Sequence, residues 1–215
     1  MMRTIKFVPL APLTLLSLLL AACATPPVEH LYHLDYPQTA SSQTEPQYEV
    51  LIATVKLPEA VHRPQLVIQK SATESLISDE QRWIAPLDEQ LTVSLIAHLR
   101  TRLPDAWLSS DTGISAGINT GISANPSSTL PRYLVKVQID QLLIYSGNQL
   151  TLEASWVVLD NSRKLLKREH KVFTVRLNSP AYEAVAPAMS EAAQQLAEQV
   201  GASVQGVRKP LTGAY

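Results

Sequence analysis

Of the 215 residues only one, Cys23, carries a thiol, and its position limits what that thiol can do. A lone cysteine makes no internal disulfide and no thiolate zinc site. It follows Leu20-Ala21-Ala22 at the end of an apolar run, where an accessible thiol is suited to act as a nucleophile toward a lipid donor. The other chemistry-bearing residues are scattered. His30 and His33 have a spacing that would bring two imidazoles together on a helix, but the local pattern is strand-like and no acid or thiolate is grouped with them. No metal site is expected there, and His62, His98 and His170 are isolated in the sequence. The one G-x-S-x-G match, Gly113-Ile114-Ser115-Ala116-Gly117, falls inside a Gly-Ile repeat with no helical pattern after it and so lacks the strand-to-helix context of a nucleophile elbow, and the chain has no phosphate-cradling glycine loop and no H-E-x-x-H. No catalytic residue is therefore assigned and no cofactor is expected, and a triad assembled in space from distant Ser, His and Asp is the enzyme reading left open. Arg163-Lys164 and Lys167-Arg168 bracket Leu165-Leu166. This cluster reads as a solvated hairpin end, with contact to anionic lipid as the alternative.

The segment ahead of Cys23 explains the cysteine better than chance does. Arg3 and Lys6 precede an apolar run from Phe7 to Leu20, followed by the small Ala21 and Ala22. That is the build of a secretory signal peptide, and at about fourteen residues the run is short of the roughly 20 a membrane-spanning helix needs. Leu20-Ala21-Ala22-Cys23 resembles the bacterial lipobox, in which cleavage between Ala22 and Cys23 leaves an acylated cysteine as the new amino terminus. Ala24 rather than Asp follows the cysteine, which under the lipobox reading implies sorting to the inner leaflet of the outer membrane. Each buried acyl methylene contributes about 0.8 kcal/mol, so several chains anchor firmly. Removing residues 1–22 leaves 193 residues with 16 basic and 19 acidic side chains, and the formal charge moves from -1 to -3. Neither value offers an electrostatic footprint for nucleic acid.

With 46% apolar residues the chain can bury one ordinary core. Residues 23–30 read as a lipidated tether, 31–207 as one domain and 208–215 as a flexible tail. Leu31 to Tyr36, Val50 to Leu57 and Gln65 to Gln69 read as strands, the last two joined by a turn between Pro58 and Pro64, and Leu76-Ile77 suggests a shorter one. A helix is expected from Pro86, with Leu87, Leu91, Leu95, Leu99 and Leu103 recurring every fourth residue and Pro104 closing it. Trp107-Leu108 begins another strand. Between Thr112 and Asn125 a Gly-Ile unit occurs three times at a period of four, far below the period of solenoid repeats. Residues 111–129 are read as an inserted loop. Alternating patterns through Tyr133–Ile139, Leu150–Val158 and Phe173–Leu177, with turns at Ser146-Gly147-Asn148 and Asp160-Asn161-Ser162, predict an antiparallel meander. A final helix is expected from Ser179-Pro180, kinked or divided at Pro187. The fold class is α/β of the α+β kind: a largely antiparallel mixed sheet with two amphipathic helices packed on it.

Several of these features occur in order in one known family. Cys23 in its lipobox, Tyr32-His33-Leu34, Arg82-Trp83-Ile84-Ala85-Pro86-Leu87 opening a leucine-rich helix, Leu103-Pro104 closing it, and Glu153-Ala154-Ser155-Trp156 together resemble the PqiC family, the ABC-type transport auxiliary lipoprotein components. Trp83, Pro86 and Leu87 are the structural part of that motif, and hydrophobic capping of the helix start accounts for them without a ligand. The resemblance implies a non-enzymatic outer-membrane lipoprotein facing the periplasm and held to outer-membrane lipid by acylated Cys23. It further implies work with an MCE-domain transport protein (PqiB-like), whose tube bridges the two membranes and carries lipids. The lipoprotein would dock the end of that tube, in some form of homo-oligomeric ring, and support membrane integrity. The alternative from a different class is a periplasmic lipid-binding carrier that holds an acyl chain between helices and sheet.

Overall fold

The computed structural model describes residues 28–38, 45–110 and 130–208. Ala22, Cys23, the Gly-Ile repeat and residues 209–215 lie outside them. The elements are β1 (His30–Tyr32), β2 (Tyr48–Ile52), β3 (Gln65–Gln69), β4 (Ser75–Trp83), α1 (Leu87–Arg102), β5 (Ala106–Ser110), β6 (Arg132–Tyr145), β7 (Gln149–Leu159), β8 (Leu165–Arg176) and α2 (Val185–Val207). All eight strands form one mixed sheet. The antiparallel meander β6-β7-β8 is its longest part, and the free side of β6 is shared. β2 runs parallel to the first half of β6, with Glu49 beside Arg132, and β3 meets its end, with Gln69 beside Tyr145. β5 lies outside β2, while β4 and then β1 lie outside β3.

Alternation in the meander is what buries one face. Leu150, Leu152, Ala154, Trp156 and Val158 of β7 are all buried while the residues between them are not, as period two requires. On β6 the alternation changes phase. Tyr133, Val135, Val137 and Ile139 point inward, then Leu142 and Ile144. A register shift between Ile139 and Gln141 causes this: one extra residue in a bulge moves every later side chain to the other parity. The turns hold their expected residues, with Gly147 at φ 69°. In the second turn Asp160 Oδ1 accepts the N–H groups of Ser162 and Lys164 at 2.8 and 2.9 Å.

Both helices cover this apolar face. The stripe Leu87, Leu91, Leu95, Leu99 and Leu103 is buried throughout, and α1 ends where Leu103 N–H bonds Leu99 O ahead of Pro104. α2 packs on β7, β8 and α1, presenting Met189, Ala193, Leu196, Val200 and Val204. A Cβ on Gly201 would lie 3.0 Å from Arg102 Cγ and 3.3 Å from Leu99 Cδ2, so glycine there sets how closely the helices approach.

Five expectations are corrected. The first strand stops at Tyr32 rather than Tyr36, because the backbone N–H groups of Leu34 and Asp35 bond to helix side chains instead of a neighbouring strand. β2 and β3 are not partners across a turn; they lie one after the other along β6. The Leu76-Ile77 strand extends to Trp83, and most of it is exposed, so it carries no hydrophobic alternation to read. The last helix begins at Val185, after Ser179 Oγ accepts Ala181 N–H at 3.0 Å and a single 3-10 turn covers Tyr182–Ala184. Pro187 is thereby the third residue of α2, where an N–H would have no intrahelical partner, and the helix runs through it unbroken. Arg208, assigned to the tail, is ion-paired with Asp105 and lies 5.1 Å from the centre of the Tyr48 ring.

Candidate functional site

The family motif forms the place where the amino-terminal chain joins the domain. β4 ends at Trp83, whose N–H donates to Pro64 O at 2.7 Å and whose side chain is buried. Pro86 occupies the N-cap with φ -49° and ψ 131°, and α1 starts at the buried Leu87. Asp88 and Glu89 in the first turn face the positive end of the helix dipole. The next residue, Gln90, is polar yet buried on the leucine stripe. Its Nε2 donates to Ala85 O at 2.8 Å, and its Oε1 accepts Leu34 N–H at 2.9 Å. One side chain thus ties the incoming chain to the loop that caps α1.

The rest of residues 29–35 is held in the same way. β1 pairs parallel with the end of β4, Leu31 beside Arg82 and Tyr32 beside Trp83. Ile84 N–H donates to Tyr32 O at 2.9 Å, Tyr32 Oη donates to Gln81 Oε1 at 2.6 Å, and Arg82 is ion-paired with Glu29 at 2.7 Å. Asp35 N–H then donates to Ser190 Oγ of α2 at 2.9 Å. This clamp grips the chain through β4, α1 and α2 within Glu29–Asp35. Because β1 is parallel to β4, it enters the sheet from the side of Ser75, the end where Gln69 meets Tyr145. Cys23 precedes His30 by seven residues, a reach of at most about 25 Å.

The histidines are not brought together. His62 Nε2 is 3.7 Å from Asp88 Oδ2, and His170 Nε2 is 2.7 Å from Glu153 Oε1. Burial holds the His98 imidazole below the usual histidine pKa, partly offset by Glu198 and Asp35. His30 begins β1 beside Gln81, and His33 follows that strand. Among the described residues no group of three His, Cys, Asp or Glu side chains has metal-holding geometry.

Open grooves mark the surface of the described residues. One, of about 1160 Å³, runs between residues 31–37 and the two helices, past His98, Ser190 and Glu191. Another, of about 720 Å³, lies where residues 53–57 leave β2 and is lined by Lys56, His62, Asp88 of α1, Lys136, Arg168 and His170 among others. The cluster singled out in the sequence sits at the β7–β8 turn, with Leu165 and Leu166 exposed. Sequence reasoning assigned no role to Gln90 or Ser190; a polar residue set among Leu87, Leu91 and Leu95 was the available signal for Gln90, since buried polar groups are retained with a partner.

The fold and the clamp define an α+β domain with one mixed sheet, held to its amino-terminal segment through β4, α1 and α2. Residues 32–201 match the family of ABC-type transport auxiliary lipoprotein components, and the chain belongs to that family. The chain is 25% identical to the intermembrane transport lipoprotein PqiC of Escherichia coli strain K12 over 193 residues, covering 87% of this chain and 95% of that one. It matches PqiC of Shigella flexneri to the same extent. Two solved structures share the fold. An uncharacterized protein has a TM-score of 0.63 at 15% identity, with 82% of this chain and 99% of that chain covered. A Xanthomonas campestris protein has a TM-score of 0.60 at 14% identity, with 82% and 97% covered. The family is one of transport auxiliary lipoproteins, not of enzymes. Among the described residues no helix is long and apolar enough to cross a membrane.

Proposed function

We propose that this chain is a non-enzymatic outer-membrane lipoprotein that docks the periplasmic end of an MCE-domain transport tube in an intermembrane lipid transport system. The observation that carries the reading is the clamp at Glu29–Asp35. A tether bonded to β4, α1 and α2 turns a lipid anchor into a fixed mechanical attachment for the whole domain. Acylated Cys23 supplies the membrane end of that attachment, and sorting follows from Ala24. The interior also favours docking over carriage: Leu152, Trp156, Met189, Leu196 and Leu99 fill the space between sheet and helices, where a carrier would hold an acyl chain. A ring of copies around the tube end belongs to the same reading.

The test is reconstitution of the purified lipoprotein with the MCE-domain protein of its own transport system. A stable complex, no stoichiometric phospholipid by native mass spectrometry, and a ring-sized mass by light scattering are the expected results. Stoichiometric phospholipid without complex formation would replace docking with the carrier reading.

A further inference from the structure

Positive charge is concentrated at one end of this acidic chain. Residues 160–171 hold Arg163, Lys164, Lys167, Arg168 and Lys171 against Asp160 and Glu169, while the chain from Cys23 onward is net negative. Among the described residues, Lys167 is the member of the tip cluster with an ion-pair partner, Glu169 at 2.8 Å. The charge continues onto the open sheet face. Lys136 is in register with Val157, and Val157 with Arg168, so the two cations flank one valine across three adjacent strands. Lys56 bridges to Gln138 in the next row. At the tip Leu165 and Leu166 are 46% and 36% exposed.

Protection of a free edge explains part of this. Among the described residues β8 is hydrogen-bonded to β7 on one side and to no strand on the other, and lysines on such an edge deter non-specific pairing. That role needs no exposed leucines, and it does not account for Lys136, which lies on the interior strand β6. An apolar centre ringed by cations is the composition of a surface that meets a partner of opposite charge.

Position selects the kind of partner. β1 enters the sheet from the side of the end marked by Ser75, Gln69 and Tyr145. The basic tip lies at the other end of β7, ten residue steps or about 33 Å away. A lipid on Cys23 would join the domain on the side opposite the tip, which leaves the tip for a partner that is not the lipid's own membrane. We infer that the β7–β8 tip, with Lys136 and Arg168 beside it, is the surface that receives the transport partner, and that the partner presents an acidic rim around an apolar patch. This rests on the docking function proposed above and names the face that performs it.

The experiment measures binding of the full-length lipoprotein, in detergent, to the purified MCE-domain protein of its system at low and high salt. A Lys164→Glu, Lys167→Glu, Arg168→Glu variant is compared with wild type, with Leu165→Ser, Leu166→Ser, and with Lys70→Glu at the opposite end of the sheet. Arg163 is kept because its backbone is left-handed, at φ 61°. The charge-reversed and serine variants are expected to weaken binding about tenfold or more, with the wild-type salt dependence lost in the former and Lys70→Glu unchanged. Each must retain the wild-type melting profile, and Lys→Gln versions of the same positions replace any that does not. Equal binding by wild type and the tip variants overturns the assignment of this face while leaving docking intact. No binding by wild type removes the docking function and this inference together. A tip variant that loses binding to phosphatidylethanolamine–phosphatidylglycerol vesicles but keeps the protein partner overturns the inference in favour of a lipid contact.

Discussion

The indole N–H of Trp156 on β7 donates to Ser203 Oγ on α2 at 3.0 Å, with both residues buried. It fixes the rotation of α2 on the sheet, because the polar atom of a large core ring has a partner at one position along the helix. Ser203→Ala leaves the indole donor unpaired and is expected to cost about 1–3 kcal/mol. In a double-mutant cycle with Trp156→Phe the two losses should fall short of additivity, since the second change removes the donor that the first one orphans. Urea unfolding followed by tryptophan fluorescence and circular dichroism gives both numbers. Strict additivity would mean the bond contributes nothing.

Gln90 makes a second buried polar connection, between the tethered segment and α1. Gln90→Leu keeps the volume but leaves Leu34 N–H and Ala85 O without partners, a loss of about 1–3 kcal/mol. Its specific signature is local: amide exchange at Leu34 should accelerate well beyond the change at Val135 in the sheet centre. Gln90→Glu should be intermediate, since a carboxylate can accept from Leu34 but cannot donate to Ala85. Uniform acceleration across both amides would make Gln90 a general stability residue and not a clamp.

The sequence was most legible where burial is one-sided. β6, β7, the last residues of β8 and α1 follow from periods of two and four, because each presents one apolar face to a single core, whereas the exposed first half of β8 does not. β4 was read only at Leu76-Ile77 because its residues are mostly exposed, and its order depends on main-chain pairing with β3 and β1 on either side. The parallel neighbours of β6 are distant in sequence, and periodicity carries no information on which strand pairs with which. At Pro187 the residue was read correctly as a helix breaker but the helix start was misplaced, so a tolerated first-turn proline looked like a kink. The motif Trp83-Pro86-Leu87 was visible as a helix opening; its grip on the tether was not, since that depends on Gln90 and Ser190 reaching residues 56 and 155 positions away.

The anchor itself is tested by chemistry at Cys23. Cys23→Ala removes the thiol that would form the thioether to diacylglycerol, so radiolabelled palmitate incorporation should vanish and unprocessed precursor or released protein should accumulate. Cys23→Ser is expected to behave the same way, because a hydroxyl is a far weaker nucleophile than a thiolate at neutral pH. Palmitate incorporation equal to wild type in either variant would sink the lipobox reading. Replacing Ala24 with Asp leaves labelling intact and should retain the protein in the inner membrane, separable by density-gradient fractionation.

Tyr48, Asp105 and Arg208 form a pH-sensitive lock on the end of α2. Tyr48 Oη lies 3.3 Å from Asp105 Oδ1, Arg208 is ion-paired with the same carboxylate, and its guanidinium sits over the Tyr48 ring. Burial, reinforced by the Asp105 charge and opposed by Arg208, pushes the Tyr48 phenol up to about 12 from 10.0. A folded-state pKa above the unfolded one means the folded protein binds the extra proton between those values. The contribution is therefore complete below pH 10 and lost as pH rises toward 12. Wild type should lose melting temperature steeply over that window, and Tyr48→Phe, with nothing to ionise, should lose less. Arg208→Gln should steepen the wild-type fall, because it removes the cation that favours the phenolate in the fold but leaves the Asp105 charge that opposes it. Parallel alkaline profiles for wild type and Tyr48→Phe would show that other groups control stability there.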